Sequence, residues 1–180
     1  MIPPLFRRPD PTIAALYGAI VTQARDARFY EAYGIPDTVL GRFDLIVLHL
    51  ALVLRRLREG DASAAALAQG VFDAFCRDMD HNLREMGISD QGVPRQMRRV
   101  GEAFYGRAQA YDTALADVGD GALVATLARN VYAGTAGTVA AGALAAYVRK
   151  VTTELDTQAS EQLVRGRVNF PQPALLAAAE

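Results

Sequence analysis

Two histidines, one cysteine and a run of closely spaced carboxylates are the residues of this 180-residue chain that could do chemistry. The densest set is Asp78-Met79-Asp80-His81. On a helix Asp78 and His81 stand at i,i+3, the spacing of a carboxylate–histidine pair in a di-iron bundle. Such a site takes a second matching pair and two further carboxylates. The other histidine, His49, has no carboxylate three residues before it. No metal is therefore expected, and a metal-dependent helical enzyme stands only as a third reading. His49 lies in the most apolar stretch of the chain and reads as a core histidine bonded to a neighbour. Haem or quinone handling in a pocket beside it is the runner-up. Cys76 falls on an apolar face with no histidine nearby in sequence, and reads as a buried, inert thiol. There is no Gly-rich phosphate loop, nucleophile elbow or zinc spacing.

The helix that carries these residues has three distinct faces at 100° per residue. Phe72, Phe75, Cys76, Met79, Leu83 and Met86 share an arc that should face the core. Asp73, Arg77, Asp80 and Arg84 share one flank as two i,i+4 pairs with the acid first, each worth about 0.2–0.5 kcal/mol. Asp78, Asn82 and Glu85 share the other flank and have no base four positions later. Polar groups at a core boundary need partners. These come either from arginines of the next helix, in an interhelical network, or from a ligand in a polar groove. Tyr105 and Arg107 on that next helix are placed to border such a groove. Arg95, Arg98 and Arg99, and separately Arg55, Arg56 and Arg58, read as solvated faces, with lipid headgroups or a ribosome surface as the functional alternative.

The elements that position these groups follow from periodicity and breakers. A helix is predicted from Pro11 or Thr12 to about Tyr33, ended by Gly34. A second follows the turn Gly34 to Thr38, capped by Asp37 or Thr38. Its span Phe43–Leu54 is apolar almost all round and should be the most buried helix. A third starts at Asp61 or Ser63, with a kink expected at Gly70, and stops at Gly87. A fourth runs from about Pro94 to Asp117 with Met97, Val100, Phe104, Ala108, Tyr111 and Leu115 as its stripe. A fifth from Asp120, a sixth through Leu155 and a short last helix over Glu161–Arg165 complete the set. No segment alternates with period two. The fold class is all-α: one domain of six or seven helices, residues 11–166, around a central helical hairpin from Phe72 to Leu115. Residues 1–10 and 167–180 are expected to be flexible.

Composition sets the remaining bounds. Net charge is −1, so bulk charge gives no attraction to nucleic acid. A single cysteine excludes an intrachain disulfide. No apolar h-region and no run of about 20 apolar residues is present, so neither a signal peptide nor a membrane span is expected. A cytoplasmic location is the default. Lys150 is the only lysine beside many arginines and alanines, a bias of GC-rich bacterial genomes.

Two stretches, FYEAYGIPDTVLGRFDLIVLHLALVLRRL (Phe29 to Leu57) and FDAFCRDMDHNLREMGISDQGVPRQMRRVGEAFYGRAQAYDTAL (Phe72 to Leu115), resemble the ubiquinol–cytochrome c chaperone family. The resemblance runs from about Leu16 to Leu155. Its specific pieces are Pro36-Asp37-Thr38, Gly41-Arg42-Phe43, Leu48-His49, Asp78-Met79-Asp80, Leu83-Arg84-Glu85-Met86-Gly87 and Phe104-Tyr105-Gly106-Arg107. It implies an all-α chaperone and not an enzyme, with no cofactor of its own, that assists assembly of the cytochrome bc1 complex. The implied client is cytochrome b, apo or partly haem-loaded. The ribosome, the membrane surface and a small partner protein are further implied contacts, and specific nucleic acid is not. A cytoplasmic protein peripheral to the inner membrane fits a bacterial member. On this resemblance Asp78, Asn82, Glu85, Tyr105 and Arg107 are expected to contact the client. Asp37, Arg42, His49, Asp80 and Arg84 are expected to serve structure or binding.

Overall fold

Side-chain caps set the first four helix starts. Asp10 accepts the Thr12 amide at 2.8 Å and opens α1 (Pro11–Ala24), with proline in the first turn where its missing N–H costs nothing. In the computed structural model, which describes residues 10–135 and 137–174, α1 does not run on to Tyr33 as expected. Asp26 ends it. Its carboxylate accepts the Arg28 amide at 3.0 Å and pairs with the Arg28 guanidinium at 2.6 Å, starting a separate short helix, α2 (Ala27–Glu31). Thr38 caps α3 (Val39–Leu57), and Asp61 caps α4 (Ala62–Glu85) through the Ser63 and Ala64 amides, both at 3.0 Å. The chain then forms α5 (Val93–Ala116), α6 (Gly121–Val131), α7 (Thr138–Thr157) and α8 (Ser160–Leu163). All regular structure among the described residues is helical, six long helices and two short ones.

The core is arranged around α3. Every residue from Asp44 to Val53 is buried, and the helix packs on α1, α4, α5, α6 and α7. α4 and α5 form the expected hairpin. Its turn is closed by Gly87 at φ +83°, with the Ile88 amide bonded back to the Leu83 carbonyl at 3.0 Å and Gly87 to Arg84 at 3.0 Å. Gly70 produces no kink. α4 is continuous there, and a Cβ on Gly70 would lie 2.3 Å from Ile13 Cδ1, so the missing side chain lets α1 pack closely on α4.

In the tail, Pro171 and Pro173 are buried, and residues 167–174 cross α1, α2 and α7. The flexibility expected for 1–9 and 175–180 falls outside the described residues.

Candidate functional site

The turn before α3 is built for capping. Thr38 Oγ1 accepts the Gly41 amide at 3.1 Å, and Arg42 pairs with Asp37 at 2.7 Å, which holds the Asp37 carboxyl below its usual range. A Cβ on Gly41 would sit 2.0 Å from the Pro36 carbonyl oxygen, so only glycine fits. These groups orient the entry of α3 and hence Asp44 and His49.

Asp44 is the residue that periodicity did not single out. Its side chain is 6% exposed and meets Arg107 Nη2 at 2.8 Å. Burial pushes its pKa up to about 6, and the Arg107 charge restrains that rise. Arg107 also lies over the Phe43 ring, 5.7 Å from its centroid. Arg107 thus reaches from α5 toward α3 to meet Asp44, its side chain still 21% exposed. The signal was present in two places. An acid inside the apolar run Phe43–Leu54 needs a buried cation, and Arg107 falls at i+3 from Phe104 and i−4 from Tyr111, on the apolar stripe itself.

His49 is fully buried, and both ring nitrogens are used. Nδ1 lies 2.8 Å from the Leu45 carbonyl, which can only accept, so Nδ1 carries the proton. Nε2 accepts from the Tyr147 hydroxyl at 2.9 Å, and that hydroxyl accepts from Gln23 Nε2 at 2.9 Å. Desolvation holds the His49 pKa down to about 4, so the ring is neutral. Phe29, Tyr147 and Phe170 pack around it at centroid distances of 5.4, 5.8 and 5.5 Å. The pocket imagined beside His49 is filled by these rings, and no free nitrogen faces a ligand.

The polar flank of α4 faces α1. Asp78 accepts the Tyr17 hydroxyl at 2.7 Å and the Asn82 amide at 3.3 Å. Burial and this bond push the Tyr17 hydroxyl far above its ordinary range. Glu85 stands exposed and pairs with His81 at 3.1 Å. Asp78 and His81 therefore serve different partners, and among the described residues no three His, Cys, Asp or Glu groups gather. On the opposite flank Asp80 pairs with Arg84 at 2.7 Å, which also reaches Asp90 and lowers the Asp80 pKa. Asp73 takes Gln69 at 2.8 Å in place of the expected Arg77. Burial raises the Cys76 thiol pKa, consistent with an inert group.

Tyr105 is 63% exposed, its ring 5.6 Å from Phe72 and 5.4 Å from Phe104. Beside it a furrow of about 340 Å³ opens between α3, α4 and α5. Ala51, Ala65, Ala68 and Ala108 are too small to close it, Phe72 and Phe104 line it, and Arg55 and Arg58 edge it. Both arginines converge on Asp112, at 3.8 and 2.5 Å. The single groove expected between Asp78, Asn82, Glu85 and Tyr105, Arg107 is thus divided. Asp78 shares a concavity with α1, Tyr105 borders the α4–α5 furrow, and Arg107 leans onto Asp44.

Residues 31–170 match the model of a family described as ubiquinol-cytochrome C chaperone. The chain belongs to this family. It is 28% identical over 155 residues to the ubiquinol-cytochrome-c reductase complex assembly factor 1 of Xenopus laevis, covering 84% of this chain and 77% of that protein. It also superimposes on the crystal structure of the Cbp3 homolog from Brucella abortus with a TM-score of 0.84 and 38% identity, covering 91% of each chain. As a ubiquinol-cytochrome c chaperone, the protein devotes several pieces of its family resemblance to the scaffold. Pro36 to Phe43 cap α3, Leu83 to Gly87 close the hairpin, and Arg107 fixes Asp44. Tyr105 stands out among those pieces as an exposed aromatic with no hydrogen bond among the described residues.

Proposed function

We propose that this ubiquinol-cytochrome c chaperone assists assembly of the cytochrome bc1 complex by holding newly made cytochrome b before or during haem loading. The observation that carries the reading is the family match over residues 31–170, joined by the likeness to the Brucella protein over nine-tenths of the chain. The chemistry supports binding over catalysis: Asp44 is tied to Arg107, His49 is neutral with both nitrogens occupied, and the Cys76 thiol is raised by burial. A membrane protein not yet inserted offers apolar helices with charged ends. The α3/α4/α5 furrow offers alanine and phenylalanine surface with arginines at its edge. We place the client there, with Tyr105 in direct contact and Arg107 positioning α5 from beneath. Asp78, Asn82 and Glu85 are proposed to meet polar loop segments on the other side of α4.

No helix among the described residues is long and apolar enough to cross a membrane. The proposed site of action is the cytoplasmic face of the inner membrane. The exposed cluster of Arg95, Arg98 and Arg99 is proposed to face the membrane or the ribosome. The test is deletion of the gene followed by spectroscopic assay of b-type haem in membranes. Loss of assembled bc1 complex, restored by the intact gene and not by Tyr105→Glu, is expected. Normal levels in the deletion strain overturn the reading.

A further inference from the structure

Residues 169–174 read Asn-Phe-Pro-Gln-Pro-Ala. Prolines at 171 and 173 have fixed φ, and each restricts the residue before it, Phe170 and Gln172, to extended backbone. The segment is extended before it touches anything, so docking it costs little chain entropy. It is pinned at its start, where the Asn169 amide donates to Gln158 Oε1 at 2.9 Å and the Asn169 carbonyl accepts from Gln158 Nε2 at 2.8 Å. Past that pin, Pro171 and Pro173 turn inward while Gln172 and Ala174 stay exposed.

The surface beneath uses side chains, not a backbone ladder. Gln23 Nε2 donates to the Pro171 carbonyl at 3.2 Å, and Arg28 Nη1 to the Pro173 carbonyl at 3.4 Å and to Gln172 Oε1 at 3.0 Å. The Tyr33 hydroxyl accepts the Ala174 amide at 3.0 Å. Phe170 stands edge-on to His49. Side-chain donors aimed at the proline carbonyls hold this preformed, low-entropy backbone in place. The receiving residues also keep their positions through other bonds. Asp26 holds Arg28 at 2.6 Å, Tyr132 donates to the Tyr33 carbonyl at 3.0 Å, and Tyr147 is fixed between His49 and Gln23. Of the segment's own side chains, only Phe170 and Gln172 add an aromatic or polar contact; the other bonds reach backbone that any apolar-Pro-x-Pro sequence presents.

We propose that Gln23, Arg28 and Tyr33 form a docking site for an extended apolar-Pro-x-Pro segment of a partner protein, occupied in cis by residues 170–174 until a partner displaces them. This goes beyond the chaperone reading and does not depend on it. A tethered ligand competes at an effective concentration on the order of millimolar, so the site answers only to a partner held close by or offering further contacts.

The test uses the full chain and the synthetic peptide acetyl-Asn-Phe-Pro-Gln-Pro-Ala-amide. Phe170→Ala should loosen the strap and bind the peptide at least about tenfold more tightly than the parent. Arg28→Ala in the same background should abolish that gain, and a peptide with both prolines replaced by alanine should not bind. Absence of peptide binding to Phe170→Ala at several millimolar overturns the proposal, as does a dimer formed by exchange of this segment between two copies. Hydrogen exchange on the parent chain decides the case even if the variant does not fold. The bonded amides of Asn169 and Ala174 should exchange well before those of α3, and exchange in step with α3 would make the strap an inseparable part of the core.

Discussion

Replacing Arg107 by methionine keeps most of the side-chain volume and removes the cation 2.8 Å from Asp44. The carboxyl, 6% exposed as a side chain, is then left in the core without a counter-charge. Breaking a buried pair in this way costs about 3–5 kcal/mol, and losing the stacking over Phe43 adds about 0.5–1 kcal/mol. For a chain of this size that is a fall in Tm of about 10 °C or more. The penalty has a pH signature. In the parent, Asp44 titrates at about 6 in the folded state. Without Arg107 its pKa moves higher, so the folded variant keeps the proton through pH 7 where the parent has released it. The stability gap should therefore narrow by roughly 1.4 kcal/mol between pH 7 and pH 5. Urea unfolding followed by far-UV circular dichroism at both pH values measures this. Adding Asp44→Asn to Arg107→Met should recover at least about 2 kcal/mol at pH 7, since no carboxyl then has to be held protonated in the core. A loss below about 1 kcal/mol, or a double variant equal to the sum of the singles, would refute the buried brace. It would return Arg107 to the client-facing role expected from sequence.

Four further outcomes follow from the geometry. His49 is held to about 4 in the folded protein, so the unfolded chain, titrating near the ordinary 6.5, takes the proton first on acidification. Stability from this group is complete above the unfolded value and falls between the two, by about 1.4 kcal/mol at pH 5.5. Asp44 acts in the opposite direction over the same range, and His49→Gln should flatten the acid limb in urea titrations. Gly41→Ala places a Cβ 2.0 Å from the Pro36 carbonyl and should cost about 2–3 kcal/mol despite alanine's higher helix propensity. Gly18→Ala, with nothing within 4 Å, should instead stabilise by about 0.5–1 kcal/mol, read from the same unfolding curves. Tyr17→Phe leaves Asp78 half-buried with Asn82 alone and should cost about 1–2 kcal/mol without altering helix content by circular dichroism.

The helices were legible because their signals are local. The apolar run Phe43–Leu54 announced the central helix, and Asp61, Gly87 and Pro94 marked ends that the structure keeps within a residue or two. The break at Asp26 was missed because an aspartate inside an amphipathic pattern acts as a cap only when the next residues turn its carboxylate onto the Arg28 amide. The docked strap was missed because prolines after the last helix read as loose chain. Its order comes from Gln23, Arg28 and Tyr33, more than 130 residues earlier in sequence. What covers each flank of α4 was not legible for a related reason. A wheel shows which residues of α4 share a flank, but not that α1 rather than α5 covers the flank of Asp78. The pairing of Arg107 with Asp44 was not read from sequence, although the spacing of Arg107 on the stripe pointed toward α3.

The most direct measurement is capture of cytochrome b during its synthesis. Cytochrome b translated in a cell-free system with membranes and the tagged, purified chain should co-purify with the chain before haem is added. Tyr105→Glu should reduce that yield several-fold while its unfolding curve stays that of the parent. Equal recovery of an unrelated apolar membrane protein, or no recovery of cytochrome b, would contradict the account.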